Sequence, residues 1–207
     1  MNFKKNKYII IKQAINKDLA TFVANYFAMQ KQVYDTCRNA RYISPYETLL
    51  GYYESSNEQI PNTYSCYSDI AMETLMLKCQ PIMEKTTGLK LYPAYTYARI
   101  YKKGDELKRH KDRFSCEIST TMNLGGDDWP IYLEPSGEEG MKGIRVDLKQ
   151  GDMLVYSGCE LEHWRKPFKG KECIQVFLHY NNRKTPGSKD NMFDKRPHLG
   201  LPSWFKK

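Results

Sequence analysis

His110-Lys111-Asp112, together with His163 further along, are the residues of this chain whose types and spacing best suit chemistry. Two imidazoles and one carboxylate form a ligand set that holds a non-haem Fe(II) on one triangular face and leaves the opposite face open for O2 and an organic cosubstrate. Residues i and i+2 of an extended segment point to the same side, so His110 and Asp112 can reach one ion together. The third ligand must arrive from elsewhere in the fold, and His163, His179 and His198 are the candidates. His163 opens a strand soon after the Ser157-Gly158 turn and can face an open end. His179 lies late in the apolar run Val176–Tyr180, where a packed or hydrogen-bonded histidine is expected. His198 sits in the C-terminal segment and is the weakest of the three.

The elements that must position these side chains follow from the pattern of apolar residues. Tyr8–Lys12 reads as a strand, and Asn16-Lys17-Asp18 can cap a helix. Leu19, Phe22, Val23, Tyr26 and Phe27 recur at the spacing of one buried helix face, and that helix is expected to reach about Tyr34. Residues 38–67 are polar, tyrosine-rich and broken by turn signals, and so long a connection suggests a lid or substrate loop, with plain surface elaboration as the alternative. A second helix opens near Ser68-Asp69, carries the stripe Met72, Leu75, Met76, Cys79 and Met83, and stops around Thr87-Gly88. From Leu89 onward, short strands are predicted at 94–101, 116–124, 130–134, 144–148, 152–156, 161–165 and 173–180. Gly and Pro turns separate them, which means a sandwich or barrel. Residues 184–207 read as a tail docked through Phe193, Trp204 and Phe205.

Composition narrows the function classes. A chain of 207 residues suits one domain with a sizeable core. No apolar run approaches the ~20 residues needed to span a membrane, so no membrane partner is expected. The six cysteines have no CxxC spacing, which speaks against zinc sites and disulfide scaffolds and points to a reducing, cytoplasmic setting. The net charge of +8 favours acidic partners. It is spread over small clusters such as Lys4-Lys5-Lys7 and Lys108-Arg109-Lys111, with no arginine-rich arm or base-stacking motif, so nucleic acid is not the expected partner. The 16 tyrosines exceed what a core needs and suggest a lined cleft.

Two segments then combine. The first runs Tyr101-Lys102-Lys103-Gly104-Asp105-Glu106-Leu107-Lys108-Arg109-His110-Lys111-Asp112; the second is Gln150-Gly151-Asp152 before an apolar strand, followed by Ser157-Gly158 and Leu161-Glu162-His163. In this order they resemble the Fe(II)/2-oxoglutarate-dependent oxygenases, and within them the prolyl 4-hydroxylase-like group, over about Tyr8 to Asn181.

The resemblance implies a mainly β chain with N-terminal helices (α+β) and a double-stranded β-helix, or jelly-roll, core. One oxygenase domain spans 1–183, with a helical lead-in over about 13–88 and the β core over about 89–183, and 184–207 is the tail. It implies Fe(II) held by His110, Asp112 and His163, with 2-oxoglutarate and O2 as cosubstrates and ascorbate as an additional reductant that the family allows. A cation must meet the inward-pointing C5 carboxylate of 2-oxoglutarate, because burying that charge unpaired is costly. Members of the family place Arg or Lys at the start of the last strand. Here Lys171 matches only with a gap, and Arg165, two residues beyond His163 on the same side, is favoured. Tyr101 and Thr121 are expected to add hydroxyl groups to the cosubstrate pocket, and Arg99, on the face of Tyr101, to contact cosubstrate or substrate. The implied activity is hydroxylation of an unactivated C–H bond, on a prolyl residue of a peptide or protein. A free amino acid or small metabolite is the alternative substrate, and a non-catalytic jelly-roll binding module the alternative from another class.

Overall fold

Side chains alternate along the long strands, one set meeting two helices and the other a polar interior, and this alternation organises the molecule. The computed structural model describes residues 2–57 and 59–206. In chain order the elements are α1 (Phe3–Asn6), β1 (Tyr8–Ile11), α2 (Lys17–Asn39), β2 (Tyr64–Tyr67), α3 (Ile70–Thr87), β3 (Leu91–Lys102), β4 (Leu107–His110), β5 (Ile118–Gly126), β6 (Ile131–Leu133), β7 (Ile144–Val146), β8 (Met153–Ser157), β9 (His163–Arg165) and β10 (Glu172–Asn182). They form a six-stranded sheet, β1-β8-β5-β10-β3-β2, and a four-stranded sheet, β4-β9-β6-β7. Every pairing between these strands is antiparallel. This is the jelly-roll expected from the sequence, mainly β with helices preceding it.

The even-numbered residues of β5 and β10, among them Met122, Leu124, Val176 and Leu178, join α2 and α3 in the main core. On β8 the parity splits: Met153 and Val155 face the helices, whereas Leu154 and Tyr156 join Ile131, Leu133 and Val146 between the sheets. The odd-numbered residues of β5 and β10 face inward and are largely polar, including buried Ser119, Thr121, Gln175 and His179, with Cys173 and Phe177 the apolar members. A helix-facing apolar row and an inward polar row on one strand mark a sheet that covers a site.

The stripe predicted for α3 is buried as expected, with Asp69 capping the helix through the Met72 amide and Gly88, at φ 71°, ending it. On α2 Asn16 caps as expected, and Val23 and Phe27 are buried with Leu19 and Tyr26 packed against the same core, but Phe22 is 69% exposed. The buried face is rotated from the predicted one and takes in Ala20, Ala24, Gln30 and Tyr34. The alanines win because the sheet comes close: a Cβ on Gly125 would lie 3.6 Å from that of Ala24. Two strands escape the sequence pattern. β4 carries one apolar residue in Leu107-Lys108-Arg109-His110, and β2 lies at an edge of the large sheet. No helix among the described residues is long and apolar enough to cross a membrane.

The C-terminal segment docks by polar groups, not by the aromatic side chains expected to hold it. Trp204 is 68% exposed and Phe205 47% exposed, whereas Ser188, Asn191, Asp194 and Arg196 are buried. Arg196 Nη2 pairs with Glu73 of α3 at 2.8 Å. Asp194 accepts from Arg113 Nη1 at 2.8 Å, Ser115 Oγ at 2.6 Å and the Tyr67 hydroxyl at 2.6 Å. These bonds hold Phe193, Asp194 and Lys195 at φ of 58°, 54° and 66°, a left-handed run that non-glycine residues rarely adopt.

Burial pushes the Asp194 carboxyl up, but its bonds to Arg113, Ser115 and Tyr67 override this and hold it well below the usual carboxylate range. The stabilisation is therefore present above the ordinary carboxylate pKa of about 3.9 and is lost as pH falls through the folded value. Asp194→Ala is expected to lower stability by roughly 2 kcal/mol at neutral pH, less than for a fully buried pair because Arg113 is half exposed. Urea unfolding at pH 7 and pH 3 checks this: the gap between variant and parent should narrow in acid.

Candidate metal centre

β4 and β9 lie side by side with His110 opposite His163 in the register, so both imidazoles leave neighbouring strands at the same level. Their ring centroids are 4.3 Å apart. Just past the end of β4, the Asp112 amide donates to the Gly158 carbonyl at 2.8 Å, which turns the carboxylate toward the two rings. The Asp112 Oδ1 atom lies 3.7 Å from His110 Nε2 and 3.5 Å from His163 Nε2, and one ligand atom from each residue falls within 4.8 Å of the others. Metal–ligand bonds of about 2.1 Å would set neighbouring donors roughly 3 Å apart on an octahedral face, so small side-chain rotations bring all three onto one ion. The donor set suits a divalent first-row metal with open coordination positions.

The surroundings orient each donor. His110 Nδ1 lies 2.7 Å from the Lys108 carbonyl and His163 Nδ1 lies 3.1 Å from the Leu161 carbonyl. A carbonyl only accepts, so both Nδ1 atoms carry the proton and both Nε2 lone pairs face the carboxylate. Ser119 Oγ donates to Asp112 Oδ2 at 2.8 Å and lies 3.0 Å from His179 Nδ1. A Cβ on Gly158 would lie 2.3 Å from Asp112 Oδ2 and 2.3 Å from the Cys116 carbonyl, so only glycine fits beside the ligand.

Burial pushes the Asp112 carboxyl up, yet the adjacent His163 outweighs it and the group stays well below the usual range. Burial and the nearby His163 both lower His110. These directions favour an ionised carboxylate and a neutral imidazole, the forms that bind metal. His179 is buried beneath Asp112 and pushed down to about 4, chiefly by burial. It therefore supports the ligand through Ser119 and lies outside the three-donor set. His198 is exposed in the C-terminal segment.

The three donors open onto a cavity of about 330 Å³. Tyr95, Tyr97, Arg99 and Tyr101, alternate residues of β3, form one wall, and Tyr52, Glu54, Asn57 and Gln59 of the 38–67 connection reach its rim. Burial raises the Tyr101 phenol to about 12, against the opposing influence of Arg99 and Arg165.

Arg165 does not line the open cavity. It lies behind it, 1% exposed, with Nη2 donating to Thr121 Oγ1 at 3.1 Å and to Gln175 Oε1 at 3.4 Å, and Nη1 to the Trp129 carbonyl. Its Nε has no partner, and among the described residues no carboxylate pairs with it. Thr121 is fully buried at its side. Lys171 is not brought to this region: it is exposed in the turn before β10, its amide bound to Asp127. The pairing of Glu172 with Lys102 starts the strand one residue later, so the inward positions fall to Cys173 and Gln175. Ser119, Tyr95 and Tyr97 escaped the sequence reading, although the alternation Tyr95, Tyr97, Arg99, Tyr101 already carried the signal for the cavity wall.

No protein-family model matches the sequence, and no curated protein matches it significantly. Solved structures do match. A prolyl-4-hydroxylase from Pseudomonas putida superposes with a TM-score of 0.56 at 16% identity, over 87% of this chain and 95% of its own. An oxidoreductase of the 2OG-Fe(II) oxygenase family from Burkholderia pseudomallei gives a TM-score of 0.61 at 13% identity, over 88% and 91%. The chain shares the fold of the 2-oxoglutarate- and iron-dependent oxygenases. A third match, the non-heme alpha ketoglutarate dependent epimerase SnoN from nogalamycin biosynthesis, gives 0.65 at 11% identity, over 87% and 78%. Proteins of this fold thus include a hydroxylase and an epimerase.

Titration with Mn(II) should reveal one ion per chain, and Asp112→Ala should abolish binding. Ser119→Ala should weaken it by roughly 10- to 100-fold, the range for losing a group that orients a ligand. Because His110 is shifted down, uptake should persist below the ordinary imidazole pKa of about 6.5 and fail only in stronger acid. Calorimetry across pH 5–8 reads all three effects.

Proposed function

We propose that this protein is an Fe(II)- and 2-oxoglutarate-dependent dioxygenase that hydroxylates an unactivated C–H bond, with a prolyl residue of a peptide or protein as its substrate. The observation that carries the reading is the pairing of a His-Asp-His donor set with a buried guanidinium that finds no anion among the described residues. A divalent metal and a dicarboxylate satisfy both features at once.

In this reading His110, Asp112 and His163 hold the iron. Arg165 receives the distal carboxylate of 2-oxoglutarate, helped by the Thr121 hydroxyl, and the neutral Tyr101 phenol donates a hydrogen bond nearby. When bound, iron and 2-oxoglutarate supply the oxidising chemistry: O2 is consumed, the cosubstrate yields succinate and CO2, and one oxygen atom enters the substrate. The protein's share is positioning and exclusion of water. Tyr95, Tyr97 and Tyr101 wall the reacting region, and Ser119 with His179 keeps the carboxylate ligand aimed.

A peptide is favoured over a free metabolite by the shape of the rim. Tyr52 and Glu54 line the metal cavity and also a wider groove of about 1220 Å³ between the end of α2 and residues 41–56. A groove that shares a wall with the reaction cavity can seat residues flanking the one that reacts. Fold relatives titled as prolyl hydroxylases, from Pseudomonas putida and from a Chlorella virus, support the same reading.

The test supplies Fe(II), 2-oxoglutarate, ascorbate and O2 with proline peptides and free amino acids, and follows succinate release and a gain of 16 Da by mass spectrometry. His110→Ala and Asp112→Ala should abolish turnover. Arg165→Ala should raise the 2-oxoglutarate requirement about two decades, equivalent to roughly 3 kcal/mol of lost charge pairing, and Arg165→Lys should recover part of it. Iron-stimulated succinate release that survives in both ligand variants would sink the assignment.

A further inference from the structure

Two guanidinium groups are buried in the barrel, and the activity proposed above employs one. Arg99 is the other, 6% exposed and lining the same cavity as His110, Asp112 and His163. It is the only lysine or arginine among the described residues that line that cavity. Its Nη2 donates to the Tyr97 hydroxyl at 3.1 Å, and the guanidinium lies 5.0 Å from the centroid of the Tyr97 ring. Its Nε is buried without a hydrogen-bond partner. The inward neighbours on β3 are the phenols Tyr97 and Tyr101.

Among the described residues, none neutralises this cation. Of the acidic lining residues described, Asp112 belongs to the candidate metal centre, and Glu54 is exposed at the rim, where it accepts from Asn57 at 3.1 Å. Nor does the cosubstrate have a group to spare. One carboxylate of 2-oxoglutarate goes to the metal and the other to Arg165, so Arg99 is left facing the space that the substrate enters. A guanidinium shut away from water is strongly disfavoured until an anion meets it, and its planar fork suits a carboxylate. The net charge of +8 draws acidic molecules toward the protein as a whole.

We propose that the substrate carries a carboxylate received by Arg99, so that the protein acts on acidic peptides. The carboxylate is either the terminal one of a peptide ending near the reacting residue or an Asp or Glu side chain beside it. The inference rests on the oxygenase reading and adds the chemistry that selects the substrate. Charge-assisted bonds to a desolvated guanidinium make the amide counterpart a poor ligand, because it leaves the cation buried and unmatched.

The experiment uses the full chain loaded with Mn(II) and 2-oxoglutarate without O2, and measures peptide binding by calorimetry. Proline peptides are supplied in matched pairs: free terminal carboxylate against terminal amide, and Asp or Glu flanking residues against Asn or Gln. The acidic member of at least one pair should bind tenfold or more tightly, and the pair that responds identifies the source of the carboxylate. Arg99→Gln should erase that preference while leaving the 2-oxoglutarate dissociation constant within about twofold; a purely structural role for Arg99 would not abolish acid-against-amide discrimination. Equal affinities within every pair, or no binding of any peptide, overturn the proposal, as does a weakening of 2-oxoglutarate instead of peptide in Arg99→Gln. Failure of the wild-type chain to bind 2-oxoglutarate at all is a separate result, and it would sink the oxygenase reading itself.

Discussion

A buried guanidinium that meets no carboxylate among the described residues is the constraint on which the barrel's interior turns. Arg165 is almost wholly shut off from water, yet its neighbours are a carbonyl, a hydroxyl, an amide and the Trp129 ring, whose centroid lies 5.0 Å away. Each of these is neutral. Together they soften the loss of hydration without cancelling the charge, and burial accordingly lowers the Arg165 pKa. An apolar replacement would pack more easily at this depth. The charge makes physical sense as one half of an ion pair whose other half is brought by a ligand.

The carboxylate ligand is held from several directions at once. Gly158 lets the chain come close enough to accept the Asp112 amide, Ser119 takes the outer oxygen, and His179 backs the serine. Arg113, the next residue along, lies 4.7 Å from the centroid of Tyr95 and ends on Asp194. Tyr95 in turn lies 4.5 Å from the His179 ring and 3.1 Å from the Cys116 sulfur. A donor set on two short strands and a loop thereby gains the rigidity of the sheet beneath it.

Much of this was legible in the residue order, and the reasons for the gaps are physical. The His-x-Asp spacing and the Gly-Asp turns marked the centre because metal geometry and strand periodicity leave little freedom. The α3 stripe was legible because five large apolar residues admit one buried face. On α2, by contrast, the apolar stripe was right except for Phe22, because the small Ala20 and Ala24, which let the sheet come close, rotate the buried face away from it. Lys171 and Arg165 could not be separated by spacing alone: Lys171 is in phase with the inward Cys173 and Gln175, and only the start of β10 at Glu172 leaves it in the preceding turn. The C-terminal segment misled because aromatic residues are the usual anchors, whereas buried Asp194 and Arg196 do that work here through partners far away in the chain.

Asp194 is bonded to Tyr67 at the end of β2 and to Arg113 directly after the Asp112 ligand. Arg113 and Ser115, on the loop that follows Asp112, take their setting from Asp194, which lies about eighty residues further along the chain. In synthesis from the N-terminus the side chains of the candidate centre therefore emerge well before the residue that fixes this loop, and the loop reaches its final setting only once the segment around Asp194 has docked.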